Sequence, residues 1–146
     1  MIIEGKYLNQ GDMVSSDSSP RAMKKFTMLI VDDDGTFRQT LKESLQLSFP
    51  IIAIEEAADG GEALQKVDAF LPDLIFIDIK LPGENGLELT KKIKAAHPKI
   101  TIFISTSYDI LEYREAAFQY GADHFLAKGS FNLKELEELV KSYHKA

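Results

Sequence analysis

Asp32, Asp33 and Asp34 follow an apolar run that ends at Val31, and Asp78 follows Leu74-Ile75-Phe76-Ile77. Thr106 and Ser107 follow a run that ends at Ser105, and Lys128 follows one that ends at Ala127. Carboxylates drawn together without a cation repel one another and resist ionisation, so a hard divalent ion with oxygen ligands is their natural counter-charge, and Mg²⁺ is the expected one. With that charge neutralised, a carboxylate can attack a phosphoryl donor while a hydroxyl and an ammonium stabilise the transferred oxygens. Asp78, Thr106 and Lys128 suit those three roles. Each has an ordinary reading when taken singly: an acidic run as a helix cap, a threonine as a sheet residue, a lysine lying over the surface. Their shared position behind apolar runs is what favours chemistry.

The elements that must hold these groups are legible in the alternation of the chain. Apolar runs at 26–31, 51–57, 74–79, 100–105 and 123–127 are separated by segments of helical period, which predicts five strands and five helices. The runs are nearly continuous in β-branched or aromatic residues, as a parallel sheet covered on both faces requires. Asp59/Glu62, Asn85/Glu88, Asp109/Glu112 and Asn132/Glu135 each place a capping side chain three residues before an acid and mark four helix starts. Phe37, Leu41 and Leu45 form one apolar stripe, Leu64 and Val67 a second, and Leu136, Leu139, Val140 and Tyr143 a third. Gly121 stands where a helix end wants a left-handed residue, and Pro98 stops the third helix. In an open α/β sheet of this kind the site lies beyond the carboxyl ends of the strands, where the polar groups above collect.

Composition narrows the function classes. The 146 residues, 45% of them apolar, suffice for one domain with its own core. Residues 1–24, with Ser15-Ser16-Asp17-Ser18-Ser19-Pro20, read as a flexible polar extension, and residues 25–146 as the domain. Cysteine is absent, which excludes disulfides and thiolate metal sites and fits a reducing cytoplasm. The apolar runs are too short for a membrane span, and a net charge of −6 opposes direct binding to nucleic acid. His97, His124 and His144 lack ligand spacing and carry no assigned chemistry.

Over roughly residues 25–145 the chain resembles the receiver domains of bacterial response regulators, including the single-domain chemotaxis-regulator type. The resemblance is carried by Met28-Leu29-Ile30-Val31-Asp32-Asp33, by Leu74 to Gly86 with its Asp78-Ile79-Lys80-Leu81-Pro82-Gly83, by Ser105-Thr106-Ser107, and by Gly121 to Lys128. It implies a doubly wound, flavodoxin-like α/β fold with strand order 2-1-3-4-5 and helices on both faces. It implies further that Asp78 is the phosphoacceptor, that Asp33, Asp78 and the Lys80 backbone carbonyl ligate Mg²⁺, and that Asp32 assists through water. Thr106 would be drawn to the phosphoryl group, Lys128 would pair with it, and Phe125 would follow Thr106 as a switch at the surface of the fourth helix. Lys80 and Tyr108 occupy positions that tune access of water, and their bulk predicts a slowly hydrolysing aspartyl phosphate. The implied donor is a histidine kinase or histidine phosphotransfer protein. Output would follow by docking, phosphoryl relay or phosphorylation-dependent homodimerisation. Gly129 replaces the proline common after the motif lysine, so the turn into the last helix is expected to be looser.

Two rival readings remain. Asp32-Asp33-Asp34-Gly35-Thr36 matches the D-x-D-G-T signature of haloacid-dehalogenase-type phosphatases, in which Asp32 would be the nucleophile, yet the downstream acidic pair they need is missing, since no aspartate follows Asp123. A receiver-like adaptor that acts without phosphorylation is the other.

Overall fold

A computed structural model describes residues 25–144. The extension expected over residues 1–24 lies outside the described residues. Strands and helices alternate along the chain: β1 (Thr27–Val31), α1 (Gly35–Ser48), β2 (Ala53–Ala57), α2 (Gly60–Phe70), β3 (Leu74–Ile77), α3 (Gly86–Ala96), β4 (Thr101–Thr106), α4 (Leu111–Gln119), β5 (His124–Ala127) and α5 (Leu133–His144). The strands form one parallel sheet in the order β2-β1-β3-β4-β5, as the resemblance implied.

Residue alternation sorts the core onto two faces. Leu29, Val31, Ile75, Ile77, Ile102, Ile104 and Phe125 pack with Ala63, Val67, Leu89, Ile93 and Ala117 of α2, α3 and α4. Met28, Ile30, Leu74, Phe76 and Phe103 pack with Leu41, Leu45, Leu136 and Val140 of α1 and α5. Burial on both faces is why the central strands β1, β3 and β4 read as nearly continuous apolar runs, whereas edge strand β2 carries Glu55 and Glu56. The Phe103 ring, fully buried, meets the Phe76 and Tyr143 rings edge-on at 5.3 and 5.6 Å between centroids.

Three of the four expected capping side chains are in place. Asp59 accepts from the Glu62 N–H, Asn85 from Leu87, and Asn132 from Lys134 and Glu135. The Asp109/Glu112 box does not form. Helix α4 begins one residue later than that box requires, with Ile110 at its N-cap and no side-chain cap, and the Asp109 carboxylate instead pairs with Arg114 at 2.9 Å. The run at 51–57 yields a strand only from Ala53, because Ile51 lies in the preceding turn and is exposed. Gly121 has φ +108°, the left-handed conformation expected after α4, and the helix before Pro98 ends at Ala96.

Gly86 shows how tightly the β3–α3 connection is drawn. Its N–H donates to the Ile79 carbonyl at 2.8 Å, and a Cβ on it would sit 1.9 Å from the Asp78 carbonyl oxygen. Neither backbone can yield without shifting the end of β3. Gly86→Ala is therefore expected to cost more than about 2 kcal/mol in urea denaturation, whereas alanine at Gly83, with φ +76° and no atom within 4 Å of its Cβ, costs about 1 kcal/mol. Equal small losses at the two positions would contradict the close approach.

Candidate functional site

The hydrogen-bond ladder continues one residue past the ends of the strands. The Asp32 N–H donates to the Ala57 carbonyl at 3.0 Å, Asp78 to Val31 at 2.9 Å, and Lys128 to Thr106 at 2.8 Å. Val31 lies beside Ile77 in the parallel register, so the next residue on each strand, Asp32 and Asp78, is brought to the same edge. This backbone pairing, rather than any attraction between the acids, sets them side by side.

The side chains of Asp32, Asp33 and Asp78 converge there, each offering one carboxylate oxygen within 4.8 Å of the others. Asp32 and Asp78 are buried and Asp33 is exposed. Lys128 reaches into the same place, with Nζ 2.6 Å from Asp32 Oδ2 and 3.4 Å from Asp78 Oδ2. Burial and then the neighbouring Asp32 charge raise the pKa of Asp78, and Lys128 offsets only part of that rise. Burial works against the Lys128 charge, but Asp32 and then Asp78 more than offset it, leaving the ammonium above its ordinary pKa. The lysine is therefore a firm cation in a pocket with more negative charge than it can balance.

Asp34 does something different from its neighbours. It caps α1, accepting from the Thr36 and Phe37 N–H groups, each at 3.1 Å. That carboxylate is thereby committed to the helix rather than to the acidic cluster. Asp32 also accepts from the Asp34 N–H at 2.9 Å, so the whole acidic loop is tied to the first turn of α1.

Thr106 is fully buried, and its Oγ1 accepts from the Tyr108 N–H at 3.2 Å, which turns the hydroxyl toward the β4–α4 loop. Phe125 is buried in the core, and the Arg114 guanidinium covers its ring at 4.7 Å from the centroid. Lys80 projects over two aromatic rings, Tyr108 at 5.1 Å and Tyr113 at 5.5 Å. Proximity to the Tyr113 phenol is the leading cause that raises the Lys80 pKa. The two tyrosines meet edge-on at 6.5 Å, so Lys80 and Tyr108, singled out in the sequence, belong to a three-membered cluster.

Sequence reasoning missed Tyr113, Arg38 and Phe37. Tyr113 lies in the first turn of α4, and an aromatic five residues from Tyr108 is only a weak signal. Arg38 donates to the Asp32 backbone carbonyl and pairs with Glu56 at 2.8 Å, bracing the acidic loop against β2. Phe37 was assigned to the apolar stripe of α1, where it packs at the edge of the core, but Lys128 Nζ also sits 4.3 Å from its ring centroid.

A doubly wound parallel sheet with an acidic cluster at the carboxyl ends of β1 and β3 defines the class of protein to compare. The response regulator receiver domain family matches residues 28–141. The chain is 36% identical over 109 residues to the response regulator MprA of Mycolicibacterium vanbaalenii, covering 75% of this chain and 46% of that protein. It is 37% identical over 109 residues to a protein-glutamate methylesterase/protein-glutamine glutaminase of Geobacillus kaustophilus, covering 74% and 31%. The chain thus spans less than half the length of these relatives. Among solved structures, a CheY-like response regulator receiver domain protein from Methanospirillum hungatei superimposes with a TM-score of 0.74 at 30% identity, covering 84% of this chain and 96% of that one. A response regulator from Chloroflexus aurantiacus does so with a TM-score of 0.75 at 34% identity, covering 84% and 100%. The chain belongs to the response regulator receiver domain family.

The electrostatics of the pocket make a prediction for the ion-free protein. A carboxyl with a raised folded-state pKa binds its proton more tightly folded than unfolded, so stability falls as pH rises from the ordinary value of 3.8 through the raised one. Asp78→Asn removes that loss. In chelator at pH 7 its Tm is expected above wild type, by roughly 4 °C for each kcal/mol relieved, and the gap should close below pH 3.8, where Asp78 is neutral in both states. A variant less stable than wild type at pH 7 would contradict the surplus of negative charge.

Proposed function

We propose that residues 25–146 form a phosphoacceptor receiver of a two-component or phosphorelay system, in which Asp78 takes a phosphoryl group from a histidine kinase or histidine phosphotransfer protein. The observation that carries this reading is the convergence of Asp32, Asp33 and Asp78 oxygens within 4.8 Å beside the Lys128 ammonium. Three carboxylate oxygens in that space form a hard donor set that suits Mg²⁺. Asp33, Asp78 and the Lys80 backbone carbonyl would hold the ion directly and Asp32 through water. When bound, Mg²⁺ supplies positive charge against the phosphoryl oxygens.

In the transfer, an Asp78 carboxylate oxygen forms the new bond to phosphorus as the phosphorus–nitrogen bond to the donor histidine breaks, and the imidazole leaves with the electron pair. Lys128 stays protonated and pairs with a phosphoryl oxygen. The Thr106 hydroxyl must first give up its hydrogen bond from the Tyr108 N–H to reach the phosphoryl group, which loosens the β4–α4 loop. Its departure opens space for the Phe125 ring, and because Phe125 lacks a hydroxyl the change is transmitted by packing. The added charge of roughly −1.5 to −2 thus alters the surface of α4, β5 and α5, where a downstream protein or a second copy would dock. The role is that of a signalling phosphoacceptor, acting in the cytoplasm, that takes part in its own phosphorylation and dephosphorylation. Among the described residues no helix is long and apolar enough to cross a membrane.

Incubation with acetyl phosphate and Mg²⁺ is expected to label the wild type and leave Asp78→Asn unlabelled, while Asp32→Asn labels more slowly. Labelling that persists in Asp78→Asn and vanishes in Asp32→Asn would instead support the phosphatase reading. The Lys80 side chain lying over Tyr108 and Tyr113 favours slow hydrolysis of the aspartyl phosphate. Lys80→Asn and Tyr108→Ala should each shorten its lifetime several-fold in a phosphate-release assay, and unchanged lifetimes would remove that idea.

A further inference from the structure

Among the described residues, Phe37 is the one aromatic ring against the site cation. Its ring centroid lies 4.3 Å from Lys128 Nζ, the same atom that stands 2.6 Å from Asp32 and 3.4 Å from Asp78. The ammonium is thus held by two carboxylates and an aromatic face, and a ring face attracts a cation most strongly where water is scarce. Lys128 is largely buried, so the ring replaces hydration that the lysine loses.

Phe37 is itself fixed from two sides. Its N–H donates to the capping Asp34 carboxylate at 3.1 Å, which ties the ring's backbone to the acidic loop. The ring packs at the edge of the core shared by α1 and α5 and lines a groove with Leu41, Phe131 and Leu133. The residue after Lys128 supplies no comparable support, since Gly129 has no side chain and a Cβ there would meet no atom within 4 Å. The turn itself is closed by the Ser130 and Phe131 N–H groups donating to the Ala127 carbonyl at 3.0 and 3.2 Å, so the ring that meets the ammonium comes from α1 rather than from the turn.

We infer that Phe37 is a positioning residue for phosphoryl transfer, holding Lys128 Nζ by its ring face at the height of the Asp78 carboxylate. An aliphatic side chain at this place fills the core but leaves the ammonium free to swing toward solvent. The inference rests on Asp78 being the phosphoacceptor, and its consequence is kinetic: the ring spares the transfer step the cost of fixing a mobile lysine.

The test uses Phe37→Leu, Phe37→Tyr and Lys128→Ala in the full chain, with acetyl phosphate as donor. Phe37→Leu should lower the labelling rate at saturating Mg²⁺ by about fivefold, and Phe37→Tyr should restore it. In a Lys128→Ala background Phe37→Leu should have no further effect, because the ring acts only through the lysine. Independently of labelling, the Lys128 ε-methylene protons should show an upfield ring-current shift in NMR spectra of the ion-free wild type and of Phe37→Tyr, lost in Phe37→Leu. Wild-type labelling with an unchanged rate in Phe37→Leu overturns the inference, as does an equal loss with and without Lys128, or the absence of the shift from the wild type. Failure of the wild type to label, with the shift present, overturns the phosphoacceptor reading and the kinetic role together while leaving the contact established.

Discussion

The structure turns on a repulsion. Backbone pairing of β1 with β3 forces Asp32 and Asp78 to the same edge of the sheet, and Asp33 adds a third carboxylate beside them. Lys128 answers part of this charge at 2.6 and 3.4 Å, yet the Asp78 pKa still lies above its ordinary value. Such a site is poised for a cation, because a divalent ion removes a cost the fold already bears. Much of the surrounding architecture serves to keep the acids where they are. Arg38 bonds the Asp32 carbonyl, Asp34 pins the loop to α1, and Gly86 lets the start of α3 press against the Asp78 carbonyl. Stability given up locally is supported by a core buried on both faces of the sheet.

The acidic edge is joined to the surface of α4 by a chain of side-chain contacts. Thr106 is bonded to the Tyr108 N–H, Tyr108 meets Tyr113 of α4 edge-on, and Lys80 bridges both rings from the β3–α3 loop. Arg114, one residue further along α4, covers Phe125 and pairs with Asp109. Helix α4 has no side-chain N-cap, so its first turn depends on these contacts for its position. A helix held by side chains that also touch the loops at the acidic edge responds to a change there more readily than one locked by its own caps.

The sheet was legible in the sequence because burial on both faces writes the central strands β1, β3 and β4 as nearly unbroken apolar runs, and the residue after each run then falls at the edge where parallel strands end together. Asp32, Asp78, Thr106 and Lys128 could be read in this way. The start of α4 could not, since Asp109 and Glu112 have the spacing of a capping box but a tertiary partner, Arg114, takes the carboxylate. Nor could the contacts of Phe37 and Tyr113. A residue that belongs to an apolar stripe by period gives no sign that one face of its ring meets a cation from a strand some ninety residues away. Gly86 looked like an ordinary helix start, and only the distance to the Asp78 carbonyl reveals why no side chain fits.

In the proposed function, acidic groups from two strands share one divalent ion. Titration with Mn²⁺ in place of Mg²⁺, followed by paramagnetic broadening of backbone amide resonances, tests it most directly. One saturable site is expected to broaden Asp32, Asp33, Asp78, Ile79 and Lys80 together, with loss of that broadening when Mg²⁺ is added in excess. Broadening at Asp33 that spares Asp78, or broadening scattered over the acidic surface of the helices, would contradict it.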